Sequence, residues 1–405
     1  MVKKELITGM RRILLKAFSK KLKKINIPII EVILFSGIFI LFYFIIYFVS
    51  NDITKHVQLI QKVLDGTRDP PGVFLYFLTV YIFSLFQNDT DFLLLSSAIV
   101  LSLAVTAKYI ITNKILHCYL SINETNNLIN RLIILFSILL LFVFSLPTSS
   151  NPWGKYFLGQ IPPNVWHNST TIFLMPFALI LFWLSYLQLL KPKKSRVFLI
   201  LLFCALNVFI KPSFFFVFSI AYPLLLFKNF RLKKNFWVNI IPVIIGFFLL
   251  LTVYFLIYKL NHVSANPRES GVTISLFTVW SHRTPYIHLS LLASLIFPLV
   301  YIMVYPREIR KNLLLQYSTL GYLIAIIIKS VFSETGSRQF HGNFGWQCVI
   351  ASYILFLVIS SLTINNLLKT GLKYWRNIIL LIAFCVHAIS GIIYIIKMFV
   401  SGTFR

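Results

Sequence analysis

Apolar stretches long enough to cross a bilayer recur from one end of the chain to the other, and the Lys and Arg residues between them alternate between crowded and sparse segments. A bilayer core of about 30 Å takes roughly 20 apolar residues per helix. Backbone polar groups facing lipid must be satisfied within the protein, which leaves helices or closed barrels. The unbroken Ile, Leu and Phe runs lack the alternation of a barrel strand. The chain therefore reads as an all-α polytopic membrane protein with about 11 transmembrane helices. Its 58% hydrophobic content stands well above the roughly 45–50% of soluble domains.

In a soluble protein a net charge of +27 would point to nucleic acid. Here the basic residues cluster between apolar spans, where they set topology and meet anionic lipids. No basic patch interleaves with exposed aromatics as in single-strand binders, so no nucleic-acid partner is expected. Cys204, Cys348 and Cys385 fall in apolar runs and Cys118 in an expected cytoplasmic loop, which indicates neither a disulfide framework nor a metal site. Residues 1–27 are too long and too charged for a cleaved signal and read as a basic amphipathic segment on the cytoplasmic leaflet.

Placing the Lys- and Arg-rich loops in the cytoplasm fixes the register. The first span, about Ile29 to Val49, runs outward. The stretch Gly72 to Phe86 could span, but the QNDTD loop after it holds no Lys or Arg. Read as a second outer-surface helix after Ile53 to Leu64, it lets Phe92 to Ile111 cross inward, with Lys108 and Lys114 at the cytoplasm. The third span, about Leu132 to Leu146, then exits, and every later loop obeys the rule. Asp52, Asp65, Asp69, Asp89, Asp91, Glu269 and Glu334 all land outside. With no internal repeat or soluble domain, residues 1–405 form a single integral membrane domain.

Several outer residues could carry chemistry. Asp52 stands just past the first span, with His56 four residues on along the same helical face. It reads as a base, as the cap of the following helix, or as both. Lys211 interrupts the apolar hairpin NVFIKPSFFFVF, where an unpaired charge costs about 2.5 kcal/mol or more. It reads as a point charge for a phosphate, or as a lysine snorkelling to the interface. The segment SETGSRQFHGNFGW gathers Glu334, Arg338, His341, Asn343 and Trp346. Arg338 suits bidentate phosphate binding, His341 could donate to a phosphate or sugar hydroxyl, and Trp346 could stack on a sugar ring. PPNVWHNSTT adds Asn164, Trp166, His167 and Asn168, a set of short hydrogen-bonding groups suited to a polyol. WSHRTPYIH contributes His282, Arg283 and His288, as phosphate ligands or interfacial charges. Asn88 and Asn168 begin N-x-S/T triplets, a pattern common by chance. Nucleotide-binding and protease motifs are absent from the sequence.

The opening of the chain combines an outward span ending at Asp52, a surface helix Ile53 to Leu64, the step Arg68-Asp69-Pro70-Pro71, a second surface helix Gly72 to Phe86 and a return span Phe92 to Ile111. This module, residues 28–115, resembles that of the GT-C class of integral membrane glycosyltransferases, with residues 116–405 as the remaining bundle. The resemblance implies a sugar carried on polyprenyl phosphate, with Asp52 as base toward the acceptor hydroxyl and Lys211 and Arg338 near the donor phosphate. The doubled acidic motif of protein mannosyltransferases and the large soluble domain of oligosaccharyltransferases are missing, so a glycan or lipid acceptor is expected rather than a protein. Membrane lipids are the other partners. The expected location is a bacterial cytoplasmic membrane, with the N-terminus cytoplasmic and the active site outside. No cofactor is indicated. A divalent metal would need converging carboxylates, for which Asp52 and Glu334 are the pair on offer. Two other readings stay open: a polysaccharide polymerase or O-antigen-ligase-like enzyme using lipid-linked glycans, and a lipid or solute transporter, which should show repeats and broken helices.

Overall fold

A computed structural model describes residues 29–120, 127–147, 159–258 and 271–404. The basic segment 1–27 and Glu269 lie outside them. In chain order the helices are α1 (Ile29–Phe48), α2 (Asp52–Leu64), α3 (Leu75–Phe83), α4 (Thr90–Leu120), α5 (Asn127–Phe142), α6 (Ser169–Leu190), α7 (Lys194–Ile210), α8 (Ser213–Phe230) and α9 (Lys234–Tyr258). They continue with α10 (Thr278–Arg283), α11 (Ile287–Val304), α12 (Glu308–Lys311), α13 (Leu313–Val331), α14 (Trp346–Thr370) and α15 (Trp375–Ser401). Strands β1 (Val272–Ile274) and β2 (Phe332–Glu334) pair antiparallel, and two short 3₁₀ turns, Gly336–His341 and Asn343–Gly345, lead into α14.

The chain is an all-α, multi-pass membrane protein. Among the described residues nine helices are long and apolar enough to cross a bilayer: α1, α4, α6, α8, α9, α11, α13, α14 and α15. Helices α5 and α7, expected as spans too, are 16 and 17 residues long. At the centre lies α14, buried at every residue from Gln347 to Ile364 and packed against α4, α5, α6, α8, α11, α13 and α15.

The two helices after α1 form for different reasons. Asn51 caps α2, its side-chain oxygen accepting from Ile53 N at 2.8 Å and Thr54 N at 3.1 Å. Ile53, Val57 and Ile60 recur at helical spacing and are buried, so α2 lays one apolar stripe on the bundle and turns Lys55 outward. The helix within Gly72 to Phe86 is α3, nine residues long. At 1.5 Å per residue it covers about 14 Å, less than half a bilayer core. It packs on α4 and touches α2 and α7.

Two expectations are corrected. The helix expected over Phe92 to Ile111 is longer: α4 runs 31 residues, through Cys118 to Leu120, and Lys108, expected at the cytoplasm, is buried within it at 5% exposure. A long helix projecting past its span makes the charge pattern KYIITNKIL misleading as an end marker. The expected third span, α5, stops at Phe142, and residues 143–147 continue without helix or strand. Their backbone is satisfied by other helices, with Phe144 N donating to His387 O and Leu146 N to Ala293 O, both at 3.0 Å. The end of α5 lies against Gly391, where an added Cβ would overlap Phe142 O. A backbone atom cannot yield that much space, so Gly391→Ala should sharply lower the thermal midpoint of the purified protein in detergent; an unchanged midpoint would contradict this packing.

Helix ends sort onto two ends of the bundle. At one, Tyr119 meets Asn312, Lys228 meets Gln316 and Arg376 lies over Tyr305, beside the basic loops around Lys191, Arg231, Arg310 and Lys373. At the other, Ser50 N donates to Gly402 O, Asp52 N to His167 O and Lys211 Nζ to Asn168 Oδ1. The acidic residues Asp52, Asp65, Asp89 and Glu334 belong to this second end.

Candidate active site

Asn168 organises the site. It caps α6, its side-chain oxygen accepting from Thr171 N at 3.1 Å and Thr171 Oγ1 at 2.6 Å. The same oxygen accepts from Lys211 Nζ at 2.9 Å, while its amide nitrogen donates to Asp52 Oδ2 at 3.2 Å. One side chain thus ties a carboxylate to an ammonium. Lys211 fills the turn between α7 and α8, where its backbone N donates to Asn207 O. Its ammonium also donates to Thr170 Oγ1 at 3.2 Å and Thr171 Oγ1 at 2.9 Å, and lies 4.6 Å from the centre of the Trp346 ring. It is held inside the site, not snorkelling. Burial pushes this amine down to about 7, against the pull of Asp52 and Glu334 in the other direction.

Asp52 is the first residue of α2, with Asn51 as the cap, so the capping reading of Asp52 is replaced by Asn51. Its carboxylate is 25% exposed and 3.7 Å from Lys55 Nζ. His56 is turned away from open space: its Nδ1 is 2.5 Å from Ser169 Oγ, and the ring meets Tyr76 and Phe77 edge-on. Burial, then repulsion from Lys211, lowers His56 to about 4. The imidazole is neutral at pH 7. An unfolded chain takes up this proton near the ordinary 6.5, so His56 withdraws stability as pH falls from about 6.5 to 4. Thermal midpoints recorded across that range should fall on acidification, with a shallower slope in His56→Gln; equal slopes would show that His56 carries none of the effect.

The segment between α13 and α14 brings in the remaining groups. Glu334, at the end of β2, is buried; its Oε2 accepts from Asn343 Nδ2 at 2.5 Å and its Oε1 lies 3.4 Å from Arg338 Nε. The Arg338 side chain is 40% exposed. His167 stacks on Phe404 at 3.8 Å and meets Trp346 at 5.8 Å. One face of Trp346 therefore carries Lys211, which leaves less of the ring for a sugar than expected.

Asp52, Asn168, Lys211, Trp346 and His167 are joined by direct contacts, His56 lies in the same neighbourhood, and Glu334, Arg338 and Asn343 form an adjoining group. Arg283 and His341 are not brought to Asp52 by any contact described: Arg283 Nη2 donates to Phe340 O at 2.5 Å, and His341 is exposed on its 3₁₀ turn. His282 stacks on the Phe340 ring at 4.1 Å. Compared with protein families, characterised proteins and solved structures, the chain matches none. The site's own geometry carries the functional argument.

Sequence reasoning missed Ser169, Thr170 and Thr171. The signal was present as three consecutive hydroxyls after Asn168 at a helix start, where side-chain oxygens have backbone and side-chain donors to serve. It also missed Phe404, which joins the site through the parallel bridge between Ser50 and Thr403. Asn88, the start of one N-x-S/T triplet, donates to Asp65 Oδ1 at 2.8 Å.

Proposed function

We propose that the protein is a glycosyltransferase that moves a sugar from a polyprenyl-phosphate donor to a hydroxyl of a glycan or lipid acceptor. The observation that carries this reading is the pairing of the Asp52 carboxylate and the Lys211 ammonium on the two arms of Asn168. Around it, α2 and the short α3 follow α1 in the order of the GT-C opening module. The basic loops gather at the opposite end of the bundle, which under the positive-inside rule supports an extracytoplasmic site; the membrane we propose is a bacterial cytoplasmic one.

In this mechanism an acceptor hydroxyl attacks the anomeric carbon while Asp52 removes its proton. The bond from that carbon to the phosphate oxygen breaks, and the leaving phosphate keeps the electron pair. Lys211 offsets the charge that develops there, with Arg338 at the open side. Such stabilisation is often the largest contribution to catalysis. His56 stays neutral and holds Ser169, so it shapes the site and takes no proton.

A photoreactive polyprenyl phosphate tests the donor half of this reading. The purified protein should be labelled saturably, with competition from polyprenyl phosphate and none from the phosphate-free alcohol, and Lys211→Met should lose most of the label. Equal competition by the alcohol would remove the phosphate from the proposal.

A further inference from the structure

Two lysines inside the helical bundle take no part in the site described above, and both grip the same strand of chain. Lys108 lies on α4 and Lys329 in the last turn of α13. Lys108 Nζ donates to Asn164 Oδ1 and sits 3.7 Å from the centre of the Tyr353 ring. Lys329 Nζ donates to Gly159 O at 3.3 Å and sits 4.0 Å from the centre of the Trp280 ring. Among the described residues neither has a carboxylate within ion-pair distance. A lysine inside a membrane helix is costly, so two of them converging on residues 159–168 call for a reason.

That segment is tied down along its length. Trp280 Nε1 also donates to Gly159 O at 2.7 Å, and Ile161 N donates to Ser294 Oγ at 2.9 Å. The Asn164 amide, its oxygen taken by Lys108, donates to Leu140 O at 2.9 Å and Val143 O at 2.8 Å. Trp166 packs on Phe42 and Phe142. The segment then delivers its last two residues to the carboxylate: His167 O accepts from Asp52 N at 3.2 Å, and Asn168 Nδ2 donates to Asp52 Oδ2 at 3.2 Å. A run without helix or strand would wander by more than a reaction tolerates, and a misplacement of about 1 Å can cost about 10²-fold in rate.

We propose that Lys108 and Lys329 are positioning residues: they anchor the strap 159–168 to α4 and α13, and through its Asn168 end hold Asp52 in its reactive place. The proposal rests on reading Asp52 as the reacting base, but its first test needs no turnover. In hydrogen–deuterium exchange of the full-length protein in nanodiscs, residues 159–168 of the wild type should exchange as slowly as the spans. Lys108→Met and Lys329→Met should each speed exchange about 10-fold or more in the strap and at the start of α2, with α9 unchanged, while Lys329→Arg, which keeps a donor, should stay near wild type. Fast exchange of the strap in the wild type, or an equal rise everywhere in the variants, would overturn the proposal, and the wild-type result stands even where a variant fails to fold. Where transfer is measurable, Lys108→Met should lower kcat about 10- to 100-fold in the wild-type background and less than about 3-fold in an Asn168→Ala background. A purely structural role gives the same loss in both. Local exchange as expected without any sugar transfer would keep the anchoring and reject the glycosyltransferase reading.

Discussion

Asp52→Asn should lower the turnover of sugar transfer by about 10²–10⁴-fold, the range that a general base contributes, while leaving the protein folded. The substitution is nearly isosteric, and the α2 cap survives because it belongs to Asn51. The Asn168 amide still finds an oxygen at position 52. The pair with Lys55 is lost, but Lys55 is 68% exposed and the charges are 3.7 Å apart, a geometry typically worth under about 1 kcal/mol. A large fall in rate at an unchanged thermal midpoint therefore reports the proton acceptor itself. Rates within a few-fold of wild type would take Asp52 out of the reaction.

Lys211→Met should be nearly as damaging, with a loss of about 10²–10³-fold of the kind seen when one preorganised charge-stabilising donor is removed. Lys211→Arg should not restore activity. Asn168 Oδ1, Thr170 Oγ1 and Thr171 Oγ1 stand 2.9–3.2 Å from a single nitrogen, a cradle that fits a compact ammonium and not a planar guanidinium. The pH dependence follows from burial. Lys211 is held at about 7, so its charged form is lost as pH rises through 7, and transfer should decline on that alkaline side. Fold stability runs the other way. The unfolded lysine keeps its proton up to about its ordinary 10.5, so between 7 and 10.5 the unfolded state binds more protons and this residue adds stability as pH rises. Kinetic and thermal profiles moving in opposite directions above pH 7, with both trends removed in Lys211→Met, would identify this amine. A rate that is flat from pH 6 to 9 would contradict its assignment.

Much of the architecture was readable because membrane helices announce themselves twice, by apolar length and by the charge of the loops between them. The short helix α3 is the clearest case. Its apolar run could pass for a span, and the lack of Lys or Arg in QNDTD argued otherwise; the nine-residue helix agrees with that reading. The candidate site was legible where a polar residue broke an apolar background, as at Lys211 and Asp52. The same argument applies to Lys108 and Lys329, but the charge rule assigns Lys108, with Lys114, to the cytoplasm at the end of the inward span. Which groups meet was not legible. Asn168 joins Asp52 and Lys211 across 116 and 43 residues of chain, and Phe404 reaches His167 only because α15 ends beside α1. Arg283 and His341 had the right chemistry, yet local packing turns Arg283 to Phe340 O and leaves His341 exposed on its 3₁₀ turn.

On the proposed function this chain consumes a lipid-phosphate-linked sugar. The most direct measurement is transfer by the wild-type protein in proteoliposomes, supplied with a panel of radiolabelled polyprenyl-phosphate sugars and acceptor lipids. One donor should be consumed, its label should move to an acceptor or to water, and Asp52→Asn should consume none. Folded wild-type protein that leaves every donor in the panel intact would contradict it.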